Sequence, residues 1–230
     1  MAKRPQAGGS HSEAFKGSSF NKLEAHLAPD TLLQQSHTLR AALFEKQGEL
    51  LGQLARHGQK PQVMFVGCSD SRVIPEMLTG AQPGEVFVLR NIANIIPPFG
   101  TAHESTGAAL EYAVNHLKVK HIVVCGHTDC GGLRALDGHL DALAEPSLAA
   151  WIRFAREAQT HVDQHGVEPA RRHRAIVEQN VILQLEHAAG YPAVYKALKQ
   201  NRLELHGWLF DLHGPSVYSY NPDTKEFEMP

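Results

Sequence analysis

Three side chains stand out for chemistry: Cys68, His127 and Cys130. The first lies in Gly67-Cys68-Ser69-Asp70-Ser71-Arg72 and the other two in Gly126-His127-Thr128-Asp129-Cys130-Gly131-Gly132. Two thiolates and one imidazole are donors that zinc prefers. Three protein donors leave the fourth tetrahedral position free for water, the arrangement of a catalytic rather than a structural ion. A His-x-x-Cys pair closes on one metal easily, because the three-residue step brings both side chains to one side of a turn. Each segment starts with Gly, which lets the backbone turn sharply and approach closely.

Asp70 and Arg72 follow Cys68 by two and four residues. A carboxylate so close to a metal could ligate it and close the site. A guanidinium two residues on could instead hold that carboxylate through paired charge-assisted bonds, leaving Asp70 to accept a hydrogen bond from a metal-bound water. The third cysteine, Cys125, ends an apolar run and reads as a small core hydrophobe. Three cysteines do not make a disulfide framework.

These residues need elements to carry them. Val63 to Val66, Val86 to Leu89 and Ile122 to Cys125 are short continuous apolar runs, the first and third ended by Gly. Such runs suit strands buried on both faces of a parallel sheet. A helical pattern fills Glu104 to Leu117 between the second and third. Alternation of this kind predicts an α/β fold, a central mainly parallel β-sheet flanked by helices. Ligands sit at the carboxyl ends of strands in such sheets, and both chemically rich segments begin there. Leucine spacing predicts an N-terminal helical arm from about Pro29 to Arg56, ended by Gly58. Further helices are expected over about Ser147 to His165, Glu168 to His187 and Pro192 to Lys199. A hairpin is expected from Leu203–Leu212 and Ser216–Tyr220. Residues 1–20 are expected to be a flexible or partner-ordered segment, with residues 21–230 forming one domain.

The formal net charge is -2, which does not favour nucleic acid or an anionic membrane as partner. Arg171-Arg172-His173-Arg174 reads as a solvated helix face. No apolar run is long enough to span a bilayer, and the polar, Gly/Ser-rich first 23 residues lack the apolar core of a secretory signal. The expected location is cytoplasmic.

Cys-x-Asp-x-Arg followed by His-x-x-Cys-Gly-Gly resembles the signature of the β-class carbonic anhydrases. The resemblance runs from about Gln59 to Leu133, more loosely to His206-Gly207-Trp208, and includes Gln82 to Phe87, Arg90-Asn91 and Glu111-Tyr112-Ala113. It implies Cys68, His127 and Cys130 as zinc ligands, with one ion per subunit, and Asp70 and Arg72 as the catalytic dyad. It also implies a carbon dioxide pocket of Gln59, Phe87, Ile92 and Tyr112, with a backbone amide from Gly131. The sheet would hold four parallel strands and one antiparallel strand. The chain would form a homodimer or homotetramer, with the N-terminal helices and Tyr112 serving the partner. The implied reaction is reversible hydration of carbon dioxide to bicarbonate and a proton, by attack of zinc-bound hydroxide.

Some family members bind bicarbonate at a second, inhibitory site. Its positions here are Phe65, Gly67 and Phe210, of which only the glycine matches, so that site is expected to be absent or weak. Two thiolate donors should raise the pKa of bound water, so activity is expected to rise toward alkaline pH. The same centre could serve a hydrolase of carbon disulfide or carbonyl sulfide. A non-catalytic zinc-binding sensor of inorganic carbon would need the Asp70–Arg72 pair or the open position to be missing. No proton shuttle is assignable, and Asp129 has no expected role.

Overall fold

A computed structural model of the chain describes residues 29–101, 103–138 and 145–230. The expectation for residues 1–20 lies outside them. The chain divides into two compact units, one ending at Arg56 and the other running from His57 to Pro230. The first contributes helix α1, Pro29–His57, which carries Asp30 in its first turn and is followed by Gly58 at φ 79°. A left-handed residue there ends a helix without steric cost only if it is glycine. Taken by itself, this helix buries none of its residues and leaves Leu32, Leu33, Leu39, Leu43 and Phe44 exposed.

The second unit is built on a six-stranded sheet. In chain order its strands are β1 (Val63–Cys68), β2 (Val86–Asn91), β3 (His121–His127), β4 (Glu204–Phe210), β5 (Val217–Asn221) and β6 (Glu226–Glu228). They lie side by side as β2-β1-β3-β4-β5-β6. The first four are parallel, and β5 and β6 are antiparallel. β5 is the expected antiparallel strand; β6, antiparallel to β5 and so running in the direction of β1–β4, is a further strand that the sequence does not announce.

The chain leaves β1 for β2 on one side and returns through β3 on the other. The carboxyl ends of β1 and β3 therefore flank a topological switch point, where open sheets form a crevice. Cys68 and His127 are the last residues of these two strands.

The helices are α2 (Pro75–Thr79), α3 (Glu104–Glu111), α4 (Gly131–Arg134), α5 (Pro146–Ile152), α6 (Arg156–Gln164), α7 (Pro169–Ala189) and α8 (Pro192–Lys199). Proline opens α2, α5, α7 and α8, where its missing N–H costs nothing. The helical pattern ending at Leu117 has a wider last segment, Tyr112–Leu117, which is π-helical. No helix among the described residues is long and apolar enough to cross a membrane.

Alternation along the strands gives the sheet two unequal faces. Met64, Val66, Ile122 and Val124 enter a large core with Val181 of α7, and with Val194 and Ala197 of α8. Among the described residues, the other face buries Phe65, Val123 and Cys125, with Val63, Val86, Trp208 and Phe210 half-buried around them. Helix α7 lies close on β3 and β4 because two strand positions lack a side chain. A Cβ at Gly126 would stand 2.7 Å from Val181, and one at Gly207 would stand 2.9 Å from it.

The basic run in α7 is not simply solvated. Arg172 is partly buried and bonds Asp163 of α6 and Asp137. Arg174 bonds Glu178 and lies 4.8 Å over the Tyr218 ring. The run fastens α7 to its neighbours.

Candidate metal centre

Parallel pairing of β1 with β3, in a register that sets Gly67 against Cys125, brings Cys68 beside the end of β3. Beyond His127 the chain turns through Thr128 and Asp129, the latter at φ 57°. Cys130 follows, fully buried at the start of α4. The three expected donors thus meet: the Sγ atoms of Cys68 and Cys130 are 4.0 Å apart, and both lie within 4.8 Å of a ring nitrogen of His127.

His127 shows how the centre is aimed. Its Nδ1 is 2.8 Å from the Thr128 carbonyl and must donate to it, which leaves Nε2 as the lone-pair nitrogen. Nε2 is buried and has no hydrogen-bond partner. Such an orphan is costly unless something else engages it. Tetrahedral zinc with sulfur bonds of about 2.3 Å would separate two sulfurs by roughly 3.8 Å, close to the separation found. The donor set and spacing fit a zinc ion.

The contact with the Cys130 sulfur and the Asp70 N–H at 3.4 Å hold the Cys68 thiol down to about 4 against the effect of burial. The Cys68 thiolate and burial together push Cys130 up. Cys125 is of another kind. It is fully buried beside Val123 and Phe65, and burial pushes its thiol up to about 12.

Asp70 and Arg72 form the expected pair. Arg72 donates from Nε to Oδ1 at 2.9 Å, from its terminal nitrogen to Oδ2 at 2.8 Å, and from its backbone N–H to Oδ1 at 3.0 Å. Both carboxylate oxygens are therefore engaged, and Asp70 is held well below the usual carboxylate range, chiefly by the Arg72 side chain. Oδ2 stays 4.0 Å from His127 Nε2. The carboxylate borders the metal position without occupying it.

Supporting contacts come from residues whose types alone say little. Arg90 donates to the carbonyls of Cys68 at 2.9 Å and Asp70 at 2.7 Å, clamping the turn between them. Asn91 accepts the Ile95 N–H and donates to its carbonyl, both at 2.8 Å. Ala93 and Asn94 inside that loop take left-handed φ values of 61° and 48°. Asn180 of α7 anchors it by donating to the Ala93 carbonyl. Asp129 is not idle either, since it accepts from Arg134 and pairs with His213. Only the occurrence of Arg90-Asn91 within the resembling stretch hinted at any of this.

Of the expected pocket residues, the chain brings two to its own donors. Ile92 follows β2, and its side chain lies where a Cβ on Gly132 would fall. Gly131 adjoins Cys130, and a Cβ there would meet nothing within 4 Å. A cleft of about 770 Å³ opens beside Ser69, Asn91 and Ile92, bounded by His103 and Trp151. Phe87 and Tyr112 instead pack on each other, with ring centroids 5.9 Å apart. Phe87 is level with Met64, four residues up the strand from Cys68, or about 13 Å. Gln59 precedes β1 and is exposed, near the far end of that strand.

Residues 63–217 match the carbonic anhydrase family. The chain is 42% identical to the carbonic anhydrase of Pseudomonas aeruginosa over 173 residues, 74% of this chain and 77% of that one. It is 37% identical to carbonic anhydrase 1 of Escherichia coli O157:H7, over 80% of this chain and 84% of the relative. The solved structure of the beta-carbonic anhydrase CcaA superimposes with a TM-score of 0.81 at 34% identity, covering 87% of this chain and 98% of the other. A tetrameric beta-carbonic anhydrase of Sordaria macrospora gives 0.74 at 31% identity, covering 86% and 96%. The chain belongs to the β-class carbonic anhydrases and is an enzyme of that family.

Proposed function

We propose that this enzyme hydrates carbon dioxide reversibly to bicarbonate and a proton at a zinc ion held by Cys68, His127 and Cys130. The observation that carries this reading is the division of labour at the centre. The lone pair of His127 Nε2 is left for the metal, while both oxygens of Asp70 are taken by Arg72. When bound, zinc supplies the Lewis acidity that turns water into a nucleophile near neutral pH. Asp70, ionised and fixed, can only accept a hydrogen bond, so it orients the attacking water. Arg72 keeps Asp70 from becoming a fourth ligand. Ile92 forms an apolar wall, and the bare backbone at Gly131 leaves room for a small linear substrate beside a peptide N–H.

Gln59, Phe87 and Tyr112 are assigned to the metal centre of a second copy. Their distance from this chain's own donors supports that assignment, as do the exposed leucines of α1. The likeness to a tetrameric relative points the same way. On this reading the working unit is a homodimer or homotetramer.

The test is stopped-flow hydration of carbon dioxide with zinc content measured, on the parent and on Cys68→Ser. Carbonyl sulfide is assayed alongside. The parent should hold one zinc per chain in this centre and be active on carbon dioxide, and the variant should lose both. A zinc-loaded parent that releases sulfide but does not hydrate carbon dioxide, or a metal-free variant that stays active, overturns the proposal.

A further inference from the structure

Strand β3 has a histidine at each end. His127 at its carboxyl end belongs to the centre described above; His121 at its amino end does not. The register pairs His121 with Glu204, the first residue of β4, and Val123 with His206. Side chains alternate along a strand, so Glu204 and His206 project from the same face as their neighbour His121.

From this placement we infer a second metal site, formed by His121, Glu204 and His206, that takes a borderline divalent cation of the zinc class. His121 Nδ1 and His206 Nε2 are 3.1 Å apart. A carboxylate oxygen of Glu204 lies 3.5 Å from the first and 3.7 Å from the second. The point equidistant from three such atoms is about 2.0 Å from each, the length of zinc–imidazole and zinc–carboxylate bonds. The three donor atoms thus already stand at bonding distance from one common point.

A plain hydrogen-bonded pair accounts for less of this geometry. One imidazole can donate to the other, but the carboxylate then stands beyond normal hydrogen-bond length from both nitrogens. A metal uses all three atoms. The two histidine side chains are about one-third exposed, at 38% and 35%, so water can complete the coordination. Two imidazoles and one carboxylate select zinc, nickel or copper over magnesium and calcium. Six residue steps of β3 separate the two centres, roughly 20 Å. A cation here takes no part in the reaction and ties the starts of β3 and β4 together.

The experiment uses the untagged full chain, already holding one zinc in the Cys68 centre. Calorimetric titration with Zn²⁺, and separately with Mg²⁺, compares the parent with a His121→Ala/His206→Ala double variant. Glu204→Gln, a near-isosteric change at an exposed position, guards against misfolding of the double variant. The parent should take up one further equivalent of zinc with micromolar affinity, and its Tm should rise with excess zinc. The double variant should do neither while keeping its first zinc and its hydration rate, and Glu204→Gln should bind about tenfold or more weakly. The inference fails if the parent saturates at one zinc, if the double variant binds the second as tightly as the parent, or if Mg²⁺ binds equally well. Since the readout is the second equivalent, these results are independent of whether carbon dioxide is the substrate.

Discussion

Arg72→Ala should convert an open metal centre into a closed one. In the parent, three bonds from Arg72 engage both oxygens of Asp70. The backbone bond survives the substitution and the two side-chain bonds do not. A hydrogen bond to a charged group is worth about 1.5–3 kcal/mol. The Arg72 side chain is 55% exposed while that of Asp70 is 17% exposed, so solvent screening reduces the pair to about 1–2 kcal/mol. Removing it shifts the carboxylate toward the metal by about 5- to 30-fold, since each 1.4 kcal/mol is a factor of ten. The path is short, because Oδ2 already stands 4.0 Å from His127 Nε2. Stopped-flow assays of the zinc-loaded variant should give kcat/KM lower by that factor. A crystal structure should find an Asp70 oxygen at ligand distance from zinc. Arg72→Lys keeps the charge but loses the fork, so it should recover only part of the loss. An Arg72→Ala enzyme within twofold of the parent near neutral pH refutes the reasoning.

Asp70 is held below the unfolded carboxylate value of about 3.9, so it stays ionised across the neutral range. A rise in activity between about pH 6.5 and 9 then reports the metal centre, and a flat pH–rate profile counts against two thiolate donors. By the same sign, the contribution of Asp70 to folding is present above about pH 4 and is lost as pH falls through its lower folded value; urea melts of Asp70→Asn against the parent should therefore converge in strong acid. Cys125→Ala should leave hydration within twofold and cost about 1–2 kcal/mol in urea unfolding for the lost sulfur packing. The buried thiol should also resist labelling in the native state, and rapid labelling would contradict its burial. Gly126→Ala drives a methyl into Val181 and Val177; it should cost about 1–3 kcal/mol and lower metal retention by disturbing the end of β3. Phe65 packs edge-on against Trp208 with ring centroids 6.3 Å apart and, like Phe210, has no polar side-chain atom. Added bicarbonate should therefore inhibit only as product does, and a steep cooperative loss in initial-rate assays would show otherwise.

The donors were legible because strand chemistry and ligand chemistry coincide in the sequence. Val63 to Val66 and Ile122 to Cys125 name buried strands, and the glycines after them place the next polar residues at the sheet's carboxyl edge. Strand pairing then needs no further information to unite Cys68 with His127. Elements without such a signature were not legible. Strand β6 is three residues long with Glu at both ends, so it offers no run to recognise. The π-helical turn at Tyr112–Leu117 keeps the apolar composition of an ordinary helix, and its wider spacing shows only in the backbone. Arg90 works through the carbonyls of Cys68 and Asp70, acceptors that every residue carries. The charge run at Arg171–Arg174 misled because its partners, Asp137 and Asp163, come from elsewhere in the chain.

The pocket marks a different limit. Ile92 and Gly131 sit beside the metal ligands through local connection: one follows the strand paired with β1, the other follows Cys130 directly. Phe87 and Tyr112 are fixed just as firmly, but against each other and level with Met64. A strand rises about 3.3 Å per residue, so no rotamer can carry a ring across the four residues that separate this level from Cys68. If these rings line the pocket, they line the pocket of another copy. A mixture of Cys68→Ser chains with Tyr112→Ala chains decides this. In a shared site, the mixed dimer unites the intact metal centre of the Tyr112→Ala chain with the intact ring of the Cys68→Ser chain, and leaves the other site with neither. Activity should then rise above the average of the two homo-oligomers only if Tyr112 serves the partner, whereas rings acting on their own chain would leave the average unchanged.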